Sequence, residues 1–272
     1  MTKPAIEGVV VRFSAPLRHV RAVVHDGVAV VTLDRQPINA VDMRTMDEVR
    51  VAFSEVAVSP SVRAVVFASA HETIFCAGAD LRSAHPDGPP LAWRLDPGVV
   101  ARDAFAAIRH CPVPVIAAVN GAAVGAGMVM AGMCDIIVAA PEAKFGATEI
   151  NVGLLGAMSH LRRMVGEYRA RAMFFTGELA GAAELVDRGC VSLIVPRDEL
   201  LERSVELAQS IAVKSPIGIR LAKASINRTE GLELEAAYHL EQQYTSRLLQ
   251  FDDSREAAEA FLEHREPQWR YE

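Results

Sequence analysis

The chain has 272 residues, 51% of them hydrophobic, which is enough to bury a substantial core in one large domain or two small ones. A net charge of −6 without any long cluster of lysine or arginine argues against a nucleic-acid partner. No apolar run approaches the roughly 20 residues that a bilayer-spanning helix needs, and Val9–Val11 is too short for the apolar stretch of a secretory leader.

Residues 1–19 carry weak signals and are expected to form an extension to the fold. Val20–Val24 and Val28–Leu33 are β-branched runs flanking His25-Asp-Gly27, which predicts a hairpin. Asp42 is placed to cap an apolar-periodic helix running to about Val56. Ala64–Ala68 suits a short buried strand. The proline-rich stretch from Arg82 to Pro97, which includes Trp93, predicts an irregular loop that would shape a pocket. A helix should end near His110, and the prolines of Cys111-Pro-Val-Pro114 block its continuation before a strand at Val113–Val119. Asp135–Ala139 and Val191–Val195 extend the strand–helix alternation, which argues for right-handed βαβ crossovers. After Pro196 the pattern changes to four helices, Asp198–Val213, Pro216–Arg228, Leu232–Leu249 and Asp252–His264. The expected organisation is an extension (1–19), a βαβ core holding the site (20–196) and a helical C-terminal region (197–272).

Chemistry concentrates in three segments. Asn120-Gly-Ala-Ala-Val-Gly-Ala-Gly-Met-Val-Met-Ala-Gly-Met-Cys-Asp135 joins a glycine-rich turn to a helix start, Phe145-Gly-Ala-Thr-Glu149 adds a carboxylate, and Phe75-Cys-Ala-Gly-Ala-Asp80 supplies a second small-residue loop. Small residues let backbone approach a ligand closely, and a helix N-terminus adds partial positive charge. That equipment suits a developing oxyanion beside a moving proton. Taken alone, the Gly125 segment serves tight helix–strand packing equally well. A dinucleotide fingerprint fails, because Met130 occupies the third glycine position.

These segments, together with Leu33-Asp-Arg-Gln-Pro-Ile-Asn-Ala-Val-Asp42, Phe145–Gly156 and Phe261-Leu-Glu-His-Arg-Glu-Pro267, resemble the crotonase (enoyl-CoA hydratase/isomerase) superfamily over residues 20–272. The resemblance implies an α/β fold with a crotonase-like (ββα) spiral core and a C-terminal helical region that packs trimers, often paired into hexamers. It implies an acyl-CoA thioester as substrate, with CoA entering as part of it and no metal or redox cofactor. The oxyanion donors would be the N–H groups of Ala79 and Ala126, with Ala77, Gly78, Asp80, Gly125 and Gly127 forming the close walls. Glu149 would be the acid/base, its carboxyl raised by an apolar pocket.

Two departures from the family pattern narrow the reaction. Val129 stands where hydratases have their first glutamate, which leans away from hydration and toward chemistry that one carboxylate can perform, such as double-bond isomerisation. Gly153-Leu-Leu-Gly-Ala-Met-Ser-His160 is similar to the segment of a subgroup that includes ring-opening acyl-CoA hydrolases, making His160 a candidate second acid or base. A packing or capping histidine is its ordinary alternative. Hydratase activity and a non-catalytic acyl-CoA-binding protein remain open rivals. The four cysteines, Cys76, Cys111, Cys134 and Cys190, form no CxxC pair and suit reduced thiols in a cytoplasmic protein. Cys76 reads as a small buried hydrophobe, and His71, Cys76, Asp80 and His85 match no standard metal spacing.

Overall fold

The computed structural model describes residues 8–84 and 98–270. Its largest sheet contains β1 (Val9–Val10), β2 (Val20–His25), β3 (Val28–Leu33), β4 (Ala64–Ser69), β6 (Val115–Val119), β8 (Ile136–Ala139) and β11 (Leu193–Ile194), side by side in that order. A smaller sheet is ordered β10 (Ala180–Gly181), β9 (Lys144–Gly146), β7 (Ala122–Val124), β5 (Ile74–Cys76). The hairpin forms as expected, with Val20 opposite Leu33 and His25 opposite Val28. Val9–Val10 pair antiparallel with β2, so part of the N-terminal segment adds an edge strand to the sheet.

From β3 onward the large sheet is parallel, and parallel neighbours need long crossovers. α1 (Met43–Glu55), α3 (Val99–Arg109) and α4 (Ala126–Met133) lie in these connections. Both sheet faces are covered, which is why β3, β4 and β6 are buried throughout and apolar except at Thr32 and Ser69. Along β4 the side chains alternate: Val65 and Phe67 join the cluster that includes α1 and α3, whereas Ala64, Val66 and Ala68 join the cluster under α8 (Leu200–Ala212). Phe53, Phe67 and Phe75 stack edge to face, with centroids 5.1 and 5.3 Å apart, and tie α1 through β4 to β5.

The chain spirals. Each crossing of the large sheet is followed within a few residues by a short strand of the small one: β4 then β5, β6 then β7, β8 then β9. The ends of β5, β7 and β9 are therefore neighbours, and the loops leaving them converge. α1 starts where expected, with Asp42 Oδ1 accepting from the Thr45 N–H at 2.8 Å. The Arg82–Pro97 loop begins with a short helix, α2 (Leu81–Ala84). The remainder of that loop, with Trp93, lies outside the described residues.

α5 (Met158–Val165), α6 (Glu167–Thr176) and α7 (Ala182–Asp187) lead to α8, α9 (Pro216–Thr229), α10 (Leu234–Leu248) and α11 (Asp252–Leu262). The last four lie within two residues of their expected bounds. Among the described residues, no helix is long and apolar enough to cross a membrane. α9 is pinned to the core by Lys223, whose buried ammonium donates to Asp135 Oδ2 at 2.7 Å and to the Val113 carbonyl at 2.9 Å. Asp135 is exposed and can turn to water, but the Val113 carbonyl loses its donor, so Lys223→Met should destabilise the fold by about 1–2 kcal/mol. Urea unfolding will read this directly, and an unchanged midpoint would show that the pair contributes nothing.

Candidate active site

The first converging loop follows β5. The Val41 N–H donates to the Gly78 carbonyl at 2.8 Å and the Asp80 N–H donates to the Val41 carbonyl at 2.9 Å. These bonds bracket Ala79 in a parallel bridge. In that pattern the bridged residue's own N–H points away from the partner segment. Gly78 has φ +99°, a left-handed conformation suited to glycine, and a Cβ there would lie 3.0 Å from the Val124 carbonyl oxygen.

The second loop follows β7. Gly125 (φ 53°, ψ −118°) turns the chain directly into α4, whose first residue is Ala126. The first N–H groups of a helix have no intrahelical acceptor. Neither Ala79 nor Ala126 donates its N–H to a protein acceptor among the described residues. The two loops touch through backbone. Gly78 rests on Val124, and a Cβ at position 127 would lie 2.3 Å from the Cys76 carbonyl oxygen. Two outward N–H groups on adjoining loops can hold one oxygen that gains negative charge.

Glu149 enters from the third turn of the spiral, opening a 3-10 turn, Glu149–Val152, just after β9. It is half-buried, and its Oε2 is buried without a hydrogen-bond partner among the described residues. Burial pushes its carboxyl above the usual carboxylate range. Its Oε1 lies against Gly125, so close that a Cβ on Gly125 would approach it to 2.7 Å. The structure thus brings Ala79, Ala126 and Glu149 together. Val129, on α4, is buried in the core and offers no ionisable group.

His160 lies on α5 and packs edge-on against Phe105 of α3, with centroids 5.8 Å apart. Its Nδ1 is buried and has no partner among the described residues. Burial first, and then the charge of Arg163, pulls its pKa down, favouring neutral imidazole. It is not a cap, since Ala157 holds the N-cap position of α5. No hydrogen bond joins it to Glu149 among the described residues.

Asp80 is buried and turned inward. Its Oδ1 accepts from the Arg82 N–H at 3.2 Å and Nε at 3.0 Å, and its Oδ2 accepts from Arg35 at 3.0 Å and Arg82 Nη2 at 3.1 Å. Arg82 foremost holds its pKa down to about 2. Cys76 is an interior group, its thiol pushed up to about 12 by burial. His71 Nδ1 accepts the N–H groups of Thr73 and Ile74, each at 3.1 Å.

Sequence reasoning missed Arg35 and Asn39. Asn39 is buried with φ +52°, and its side chain donates to the Leu33 carbonyl (3.3 Å), Ser69 Oγ (2.8 Å) and the Phe75 carbonyl (3.1 Å). It joins β3, β4 and β5 at the end nearest the loops. Their signal lies in the Leu33–Asp42 run, which in the sequence stands out as a family landmark rather than as a clamp.

A family profile described as enoyl-CoA hydratase/isomerase matches residues 24–272. The chain belongs to the enoyl-CoA hydratase/isomerase family. It is 35% identical to a hexahydro-indene-carboxyl-CoA hydrolase of Rhodococcus jostii, over 89% of this chain and 93% of that protein. It is 31% identical to a short-chain-enoyl-CoA hydratase of Clostridium acetobutylicum, over 88% and 92%. Among solved structures, an enoyl-CoA hydratase from Bacillus anthracis superposes with a TM-score of 0.86 at 29% identity, covering 94% of this chain and all of that one. One from Mycobacterium smegmatis gives 0.86 at 31% identity, covering 93% and 99%. The crotonase fold expected from the resemblance is therefore the fold observed, and the protein is a crotonase-family acyl-CoA enzyme.

Proposed function

We propose that the N–H groups of Ala79 and Ala126 hold the thioester oxygen of an acyl-CoA, and that Glu149 moves a proton beside the resulting enolate. Ala77, Gly78, Gly125 and Gly127 keep the walls close, and Asp80, turned inward, holds the first loop from behind instead of lining the ligand. The observation that carries this reading is the half-buried Glu149 carboxylate, unpartnered at Oε2 and resting against Gly125, next to the free N–H of Ala126. Leaving a buried acceptor unpartnered costs about 1–3 kcal/mol, a cost that chemistry explains and packing does not.

The reaction we favour is ring-opening hydrolysis. Water adds to a ring ketone of the acyl group and the adjacent C–C bond breaks. Its electron pair enters the thioester as an enolate held by the two N–H groups, and the enolate carbon then takes a proton. Glu149 receives the proton from water and returns one to carbon, so a single carboxylate suffices. Val129 in the core, the neutral His160 beside Phe105 and the likeness to the Rhodococcus hydrolase support this choice over hydration. Double-bond isomerisation is the second reading, favoured by the same lone carboxylate. The step requires no cofactor beyond the CoA of the substrate. The exposed Leu234, Tyr238, Phe261 and Leu262 on α10 and α11 suit packing against further copies in a trimer or hexamer of a cytoplasmic enzyme.

Mass spectrometry of products from linear enoyl-CoAs and cyclic keto-acyl-CoAs in heavy water tests the assignment. Water uptake with ring opening supports it, deuterium uptake without water supports isomerisation, and hydration of a linear enoyl chain would contradict both. Because Glu149 must be ionised to act as a base, and burial raises its pKa, activity should fall on acidification with a midpoint above about 4.3, the ordinary glutamate value. A pH profile of kcat, flat down to that value, would remove Glu149 as the base.

A further inference from the structure

We propose that Arg35 is the positioning residue of the first oxyanion loop: by joining Asp42 to Asp80, its guanidinium sets the direction of the Ala79 N–H. This rests on the donor role given to Ala79 above. Arg35 follows β3, Asp42 caps α1, and Asp80 closes the loop that carries Ala79. Arg35 Nη2 lies 3.0 Å from Asp42 Oδ2 and 3.0 Å from Asp80 Oδ2, and Nη1 donates to the Ala40 carbonyl at 2.5 Å. Its own N–H donates to Asn39 Oδ1 at 2.7 Å, coupling it to the side chain that gathers the ends of β3, β4 and β5.

The two backbone bonds between Val41 and residues 78 and 80 fix the register of the loop. They still leave the peptide planes around Ala79 able to tilt about the line joining them. The guanidinium resists that tilt because Nη1 and Nη2 together hold the Ala40–Asp42 segment in a fixed plane while Nη2 also reaches Asp80, a two-nitrogen contact that a point charge cannot reproduce. The grip is on the protein side: Arg35 is 15% exposed at its side chain, whereas Arg82, the other arginine on Asp80, is 81% exposed. Salt screens the exposed contact far more than the covered one.

Isotope-edited infrared spectroscopy of butyryl-CoA carrying a ¹³C carbonyl tests this on the full-length protein. A thioester oxygen seated between two aimed donors shifts its carbonyl band to lower frequency. In Arg35→Gln the shift should shrink by at least half, and kcat on the processed acyl-CoA should fall about 10²-fold with KM nearly unchanged. Arg35→Lys, which keeps the charge but not the fork, should behave similarly and serves in its place if the glutamine variant does not fold. An undiminished carbonyl shift in a folded variant, whatever its melting temperature, would overturn the proposal and leave the oxyanion reading intact. No shift in the wild-type protein would remove the oxyanion reading, and the role of Arg35 with it.

Discussion

Glu149→Gln should lower turnover about 10³-fold while leaving the fold at least as stable as before. The amide matches the carboxylate in size, so the contact with Gly125 survives. It cannot accept a proton, so the transfer step fails. The stability half follows from burial. A carboxyl whose pKa is raised on folding contributes stability below its unfolded pKa and loses it as pH rises through the folded one. At neutral pH the wild-type protein therefore holds a charge in a place that disfavours charge, and glutamine removes that penalty. Urea midpoints of the two proteins should differ at neutral pH and converge on acidification, while kcat differs throughout the neutral range. A glutamate kept only for solubility would change neither quantity.

Gly127→Ala should lower turnover about 10²-fold by spreading the two oxyanion loops. The new methyl would lie 2.3 Å from the Cys76 carbonyl oxygen and 2.7 Å from its Cβ. The nearer of these is backbone of β5 and cannot swing aside, so α4 must shift. Ala126 rides on the first turn of that helix and moves with it. Two effects oppose in stability: alanine gains about 1 kcal/mol in helix propensity, and overpacking costs about 1–3 kcal/mol. The clash should win because its partner is main chain. Thermal denaturation and kcat together decide this, and a variant both more stable and fully active would show that α4 does not press on β5.

The large sheet and the C-terminal helices were legible because their signals are long. Six-residue β-branched strands, an Asp42 cap and the Ser215-Pro216 helix start all announce themselves locally, and Ser215 Oγ does accept the Gly218 N–H at 3.0 Å. The small sheet was not legible. β5, β7 and β9 have three residues each, too few for alternation to register, and their pairing comes from how the spiral stacks successive turns. Yet that stacking is what brings Ala79, Ala126 and Glu149 together from three distant segments. The glycines were visible as small residues, but their reasons differ: Gly125 makes room for the Glu149 carboxylate, whereas Gly127 lets α4 sit on β5. Arg35 escaped notice because an arginine among polar loop residues looks solvated, and only the fold reveals the two carboxylates it joins.

A crystal structure of Glu149→Gln with a bound acyl-CoA would show whether Ala79, Ala126 and residue 149 meet at the thioester. The thioester oxygen should lie about 2.7–3.1 Å from the nitrogens of both Ala79 and Ala126, with the substituted amide at position 149 facing the carbon next to that carbonyl. A thioester bound with its oxygen away from both nitrogens, or with the side chain at position 149 on the far side of the acyl chain, would contradict this arrangement.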